Sequence, residues 1–303
     1  MSVAFPVDQQ VHPISRLAPA KINLALHVTG RRSDGFHLLE SLVVFARFGD
    51  RVEATLADAD ELVVTGRYAP DVPLDDGNLV VKARDALRSK AGDKKAPPVR
   101  ITLEKNLPVA SGVGGGSSDA AATLHALAGA WGMEMDGPEL AEIALTLGAD
   151  VPMCLAAKPL VARGIGEELS LVPNLLPLGL VLVNPGVPVL TADVFAALAS
   201  SDNSPLPPLP VHLDFHGVRN WLAITRNDLE PAARAIQPSI GAAIAALDKA
   251  GSGFTRMSGS GATCFGLFES GNMAKRAAAA IRSRHPDWFV AATRTISSEA
   301  EDR

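Results

Sequence analysis

The sequence predicts an α+β fold. Segments with a period of two, as in strands, recur along the chain. So do longer segments with helical periodicity, and the two kinds mix without the strict alternation of a doubly wound sheet. No repeat recurs at a fixed period. One glycine-dense stretch, Leu107 to Trp131, runs directly into a block of strong helix formers, Ala120 to Ala130. The 303-residue length predicts two domains, each able to bury a core without staples.

Taken in order, Ile22, Leu24, Leu26 and Val28 alternate as one face of a strand, with Lys21 and Asn23 on the other face. The turn 30–35 then delivers Phe36 and His37. Leu39 to Phe48 and Arg51 to Leu56 read as two strands joined by Gly49-Asp50, and Glu61 to Thr65 as another. Asn78 leads into a helix over Val81 to Lys90, and Val99 to Glu104 is a strand entering the glycine stretch. Pro138 to Leu147 is a helix with Pro at its start and Gly148 after its end. Asp150 then falls beyond a helix C-terminus, at the negative end of the dipole, which requires solvent or a cation to hold it. Leu178 to Asn184 is an apolar strand, and Thr191 is a candidate cap of a helix carrying Phe195. The proline-rich 200–210 reads as an irregular crossing or flap. A helix over Pro238 to Ala250, a second glycine loop at 257–263, a strand to Phe268, a helix over Asn272 to Arg284 and a last strand to Thr295 complete the chain.

Composition excludes several classes. With 47% hydrophobic and 20% charged residues the chain reads as soluble and globular. The two cysteines, Cys154 and Cys264, are far apart, so neither a disulfide framework nor a zinc cluster is expected, and a reducing cytoplasm is. The first residues lack the apolar core of a signal peptide, and the apolar run near 175–183 is broken by Pro177 and Gly179, so no membrane partner is expected. A net charge of −5 argues against a nucleic-acid partner but leaves room for a phosphorylated small molecule.

The glycine stretch is a candidate anion site. Gly112, Gly114, Gly115 and Gly116 let the backbone approach a phosphate, and the first helical turn offers free N–H groups and a positive dipole end. Ser117 and Ser118 are candidate N-caps. The stretch is not a Walker A loop, because Gly116 rather than Lys precedes Ser117. A dinucleotide fingerprint read from Gly112 would need Gly at 117.

Four stretches together resemble the GHMP kinase superfamily: Ala18-Pro19-Ala20-Lys21-Ile22-Asn23-Leu24 with Asp34-Gly35-Phe36-His37, then Leu107 to Ser118, then Leu145 to Pro152, then Ser258 to Thr263. Within it they are most similar to the branch that acts on a cytidine-diphosphate-linked methylerythritol in non-mevalonate isoprenoid synthesis. The resemblance implies a two-domain fold, with an ATP-binding domain over 1–160, a substrate-binding domain over 161–303, and the active site in the cleft between them. It implies Lys21 and Asp150 as catalytic residues and Pro108, Val109, Ala110, Ser111, Gly112, Val113, Gly114, Gly115, Gly116, Ser117 and Ser118 as the ATP phosphate loop. Asn78 and Lys105 would be adenine-side contacts, and Asn23, Phe36, His37, Thr191 and Phe195 substrate contacts. ATP is the implied cosubstrate and Mg²⁺ the implied cofactor, its ligands left open, in a monomer or homodimer. Two positions depart from the family motif: Phe36 stands where Tyr is usual, and Asp119 where Asn is. A carboxylate at 119 could repel phosphate, hold Mg²⁺ or cap the helix. The alternatives are another small-molecule kinase of the superfamily, homoserine- or mevalonate-type, or a silent nucleotide-binding protein on the same fold.

Overall fold

The computed structural model describes residues 13–92, 94–135 and 137–298. Its elements are, in chain order, β1 (Ile14–Arg31), β2 (His37–Leu56), β3 (Glu61–Thr65), α1 (Leu79–Ala91), β4 (Val99–Glu104), α2 (Gly115–Ala130), α3 (Gly137–Leu147), α4 (Val151–Ala156), β5 (Leu160–Arg163), β6 (Glu168–Leu171), β7 (Gly179–Asn184), α5 (Thr191–Ala196), α6 (Phe215–Ala223), α7 (Glu230–Ile236), α8 (Ser239–Lys249), β8 (Phe254–Met257), β9 (Cys264–Phe268), α9 (Gly271–Arg284) and β10 (Phe289–Arg294). No described helix is long and apolar enough to cross a membrane.

Two sheets stand back to back with helices on both outer faces. The first runs β3-β4-β2-β5-β6, with β1 pairing β2 along most of its length, and the second runs β10-β7-β9-β8. Alternation along the central strands shows how the layers form. On β2, Val43 and Phe45 pack toward α1, α2 and α3, while Leu42, Val44 and Ala46 face the second sheet. On β7, Leu180 and Leu182 face the first sheet, while Val181 and Val183 pack on α8 and α9. Both strands are therefore buried on both faces, and their side chains form continuous apolar runs.

The two strands expected over 39–56 are one. β2 continues through Gly49-Asp50, which does not turn. Gly49 is required by close packing: a Cβ there would stand 1.9 Å from the Ala18 carbonyl oxygen on β1. A division at 160/161 would cut β5 and detach β6, both strands of the first sheet, so the sheet connectivity favours a boundary after Leu171. The proline-rich 200–210 segment is a tied crossing. Asn203 N–H donates to the Val28 carbonyl at 3.2 Å, Leu206 N–H to Glu40 Oε2 at 2.9 Å, and Trp221 Nε1–H to the Pro208 carbonyl at 2.9 Å.

Candidate active site

A cleft of about 540 Å³ opens where β1, the glycine stretch and the loop before α4 meet the second glycine loop and α5. Its floor is the start of α2. The helix begins at Gly115, not at the serines, and its N-cap is Gly114 in the left-handed region, at φ 62°. The N–H of Ser118 makes the first helical bond, to the Gly114 carbonyl at 2.9 Å. The N–H groups of Gly115, Gly116 and Ser117 thus have no helical partner, and these residues line the cleft. A 16-residue helix directs its positive dipole end at the same space.

Ala110, Ser111 and Gly112 complete this wall. The other members of the predicted loop support it from outside the cleft. Val113 is buried and its carbonyl receives the Lys21 backbone N–H at 2.9 Å. Ser118 is buried and donates to the Pro19 carbonyl at 2.7 Å. The Pro108 carbonyl accepts from the Ser111 hydroxyl at 2.6 Å, and Val109 is exposed.

Opposite the helix start, Lys21 Nζ lies 2.6 Å from Asp150 Oδ2. The lysine is buried, and Asp150 is open on the cleft side, its side chain 43% exposed. Burial works against the lysine charge, but Asp150 and Cys154 beside it together prevail and the ammonium's pKa is raised. As expected of a carboxylate beyond a helix C-terminus, Asp150 is held by solvent and a cation. α3 stops at Leu147, and Asp150 is the N-cap position of α4, where a carboxylate is favoured. The short α4 had no sequence signal beyond Pro152 at its start.

The far end of the cleft, at α5, is aromatic and polar. The His37 ring stacks on Phe195 with centroids 4.8 Å apart, and Phe195 lines the cleft. Burial, with the Arg31 charge nearby, pushes the His37 pKa down, so the imidazole is neutral at pH 7. Thr191 also lines the cleft. It is the first residue of α5 rather than its cap, which is Leu190, and its hydroxyl pairs with Ser260 Oγ at 2.8 Å. Asn23 lines the cleft from β1. Phe36 does not: it is 59% exposed on the turn beyond His37.

Two predicted contacts lie elsewhere. Asn78 caps α1, accepting from the Val80 N–H at 2.9 Å and donating to the Pro73 carbonyl at 2.7 Å, so both ends of its amide serve the backbone. Lys105 is buried behind the phosphate loop, its ammonium 2.5 Å from Asp50 and 2.6 Å from Asp119. Asp50 Oδ1 also accepts the N–H groups of Asn106 and Leu107, at 2.5 and 2.7 Å. Burial opposes the charge on Lys105 and the two carboxylates restore it, so its pKa is raised. Asp119 therefore faces the core, not the phosphates. Burial pushes its carboxyl up to about 8 against the pull of Lys105, and its Oδ1 has no partner.

Residues that sequence reasoning left without a role also line the cleft: Ser41, Ile165 and Gly166, and Gly259 and Ser260 from the second glycine loop. That loop locks onto the first. Ser258 Oγ accepts the Asn23 N–H at 3.1 Å and donates to the Gly112 carbonyl at 3.1 Å. A Cβ on Gly112 would meet the Ser258 carbonyl at 2.6 Å, and one on Gly259 the Gly112 carbonyl at 2.8 Å. Glycine density at 257–263 was the available signal.

Comparison with known proteins bears on the family to which the chain belongs. Residues 78–158 match the GHMP kinases N terminal domain and residues 212–287 the GHMP kinases C terminal domain. The chain is 74% identical, over 94% of its own length and 96% of the other's, to the 4-diphosphocytidyl-2-C-methyl-D-erythritol kinase of Mesorhizobium japonicum. It is 54% identical to the corresponding protein of Rhizobium meliloti, over 92% of this chain and 94% of the other. Among solved structures, a 4-(cytidine 5'-diphospho)-2C-methyl-D-erythritol kinase superposes with a TM-score of 0.77 at 35% identity, covering 93% of this chain and 98% of that one. The homoserine kinase of Cytophaga hutchinsonii shares the fold, with a TM-score of 0.69 at 18% identity over 97% and 98% of the two chains.

Proposed function

This chain belongs to the GHMP kinases, in the group of the 4-diphosphocytidyl-2-C-methyl-D-erythritol kinases, and we propose the following account of how its cleft carries out that reaction. The reaction transfers the γ-phosphoryl group of ATP to the 2-hydroxyl of 4-diphosphocytidyl-2-C-methyl-D-erythritol, giving the 2-phosphate and ADP, as a step in non-mevalonate isoprenoid precursor synthesis. The observation that carries the account is the Lys21–Asp150 pair, 2.6 Å apart, in the same cleft as the free N–H groups of the α2 start.

Phosphoryl transfer to an alcohol needs cradled phosphates, neutralised charge and an oriented hydroxyl. The N–H groups of Gly115, Gly116 and Ser117 and the backbone of 110–112 cradle the ATP phosphates. Lys21 stabilises the charge that develops on the transferring group and holds the Asp150 side chain in place through Oδ2. Asp150 Oδ1 lies on the side of Gly166, 3.9 Å from where a Cβ on that glycine would stand. There it orients the acceptor hydroxyl and takes its proton as the new P–O bond forms, a role worth roughly 10²–10⁴-fold in rate. The neutral His37 ring and Phe195 hold the cytosine. Asn78 and Lys105 shape the nucleotide side through the elements they fix: Asn78 sets the start of α1, whose first residue Leu79 lines the cleft, and Lys105 braces the loop behind Gly115.

The cleft fits a Mg²⁺ carried on the substrate. Asp150 is the one carboxylate lining it among the described residues, and Ser117 adds a hydroxyl. The described residues contain no cluster of three His, Cys, Asp or Glu side chains that could form a protein-built cage. Bound there, Mg²⁺ would neutralise charge on the β- and γ-phosphate oxygens, with Asp150 and Ser117 as its protein contacts. We place the enzyme in the cytoplasm, in keeping with the free, buried thiols of Cys154 and Cys264.

The test is an ADP-release assay with Mg·ATP and 4-diphosphocytidyl-2-C-methyl-D-erythritol beside homoserine, mevalonate and galactose. Turnover with the cytidylated alcohol alone is the expected result. Turnover with one of the others, and none with the cytidylated acceptor, would overturn the substrate assignment while keeping the Lys21–Asp150 chemistry.

A further inference from the structure

The second glycine loop is held from behind by a side chain that lies outside the cleft. Asn227 stands in the turn between α6 and α7 and is buried. Its main chain is pinned to β1 on either side: the Leu26 N–H donates to the Arg226 carbonyl and the Asp228 N–H to the Leu26 carbonyl, each at 2.9 Å. Its amide then makes three bonds. Nδ2 donates to the Met257 and Gly259 carbonyls, each at 2.9 Å, and Oδ1 accepts the Leu229 N–H at 3.0 Å. A carbonyl can only accept and a backbone N–H can only donate, so the partners fix which end of the amide is which. Glu230 steadies the same loop, its Oε2 accepting the Met257 N–H at 3.0 Å.

The bond to Gly259 sets a peptide plane. In a trans peptide the N–H points opposite to the C=O. The Gly259–Ser260 peptide is trans, and its carbonyl is turned toward Asn227. The Ser260 N–H is therefore turned away from Asn227. It has no hydrogen-bond partner among the described residues, and Ser260 lines the cleft. The hydroxyl of the same serine meets Thr191 at the start of α5, the helix whose Phe195 stacks on His37. A spare backbone donor thus stands on the wall that adjoins the aromatic platform.

We infer that Asn227 is a positioning residue for acceptor binding. By drawing the Gly259 carbonyl back, it presents the Ser260 N–H to an oxygen of the acceptor's diphosphate. The diphosphate joins the base to the polyol, so it runs along the wall between the His37–Phe195 platform and the Lys21–Asp150 pair, and it brings anionic oxygens to an unpaired donor. The place calls for a primary amide. A carboxylate would turn a charge on two carbonyl oxygens, and an apolar side chain would leave two carbonyls and an N–H unpaired. This inference rests on the acceptor assigned under the proposed function.

Steady-state kinetics of Asn227→Leu test it, with cytidine diphosphate and cytidine as competitive inhibitors against the acceptor. Leucine is uncharged and close to asparagine in size, and it releases the Gly259 carbonyl. The acceptor KM and the inhibition constant of cytidine diphosphate should each rise about tenfold. The inhibition constant of cytidine, which lacks the diphosphate, and the KM for ATP should stay within about twofold of wild type. A purely structural role would lower the urea midpoint and leave every constant of the folded enzyme at its wild-type value, which would overturn the inference. A parallel rise for cytidine and cytidine diphosphate would move the effect to the base platform and overturn it too. A second measurement needs no variant: in the wild type, the backbone amide resonance of Ser260 should shift on adding cytidine diphosphate and stay in place on adding cytidine, and an unmoved resonance with both would overturn the inference. A wild-type chain inactive on the cytidylated acceptor would instead sink the reading beneath it.

Discussion

Two lysine–aspartate sites flank the first glycine loop, and they differ in what they can do. At the first, Lys21 meets one carboxylate, Asp150, that is open on its cleft side. At the second, Lys105 meets two, Asp50 and Asp119, with side-chain exposures of 4%, 0% and 5% for the three residues. Ion-pair chemistry is the same in both and access is not. An ion pair at a cleft wall can act on a ligand, whereas one sealed in the core can only hold elements together. The second joins the Asp50 region of β2, the end of β4 and the first turns of α2, directly behind Gly115, where a Cβ would come 3.1 Å from Lys105 Nζ.

The contrast predicts opposite consequences for the two lysine sites. Asp150→Asn should cut kcat by at least about 10²-fold while leaving ATP affinity within a few-fold, measured by ADP release and by calorimetric ATP binding. Near-normal turnover would remove Asp150 from the base role. Lys105→Met should spare the cleft chemistry in the molecules that remain folded. Its cost should fall on stability, by about 3–5 kcal/mol in urea unfolding, because buried Asp50 and Asp119 lose the cation that lies between them. If that variant unfolds like the wild type but binds ATP poorly, Lys105 belongs to the nucleotide site and the comparison collapses.

His37→Ala sharpens the open side of the contrast. Losing the ring stacked on Phe195 should raise the acceptor KM by about 2–12-fold with kcat nearly unchanged. The effect of Asp119→Asn should appear in the pH dependence of stability. Asp119 keeps its proton in the folded state up to about 8, whereas an unfolded carboxyl releases it near 3.8. Between those values the unfolded chain binds fewer protons, so this group's stabilising contribution is full at low pH and is lost as pH rises through 8. Urea unfolding of Asp119→Asn between pH 5 and 8 should therefore decline less steeply with pH than wild type. An identical slope would mean that Asp119 is ionised when folded.

Much of the fold was legible because the central strands and amphipathic helices are strongly patterned. β7 and β4, and α1, α8 and α9, fall within two residues of their expected bounds. Short elements set by packing alone, such as α4 and β6, carried no comparable pattern. In the site, Lys21 and Asp150 could be paired across 129 positions only through the resemblance, since neither spacing nor periodicity joins them. What the sequence could not reveal was depth. Lys105 stands beside the glycine stretch in the chain and one layer beneath it in space. The dipole argument at Asp150 rightly called for solvent or a cation but saw one helix of two: a carboxylate three residues past one helix is also the N-cap position of the next.

The interlocked glycine loops have a consequence for chemical intervention. Where Gly112 and Gly259 cross, the cleft wall is backbone against backbone, with room for no Cβ on either residue. A small molecule resting on that crossing would touch atoms that no codon change can replace. An escape substitution at either glycine would have to displace the other loop as well, and with it the Ser258 hydroxyl that holds Asn23. Resistance would have to arise instead where side chains face the cleft, at Leu190, Thr191 and Phe195, and changes there also alter the fit of the natural acceptor.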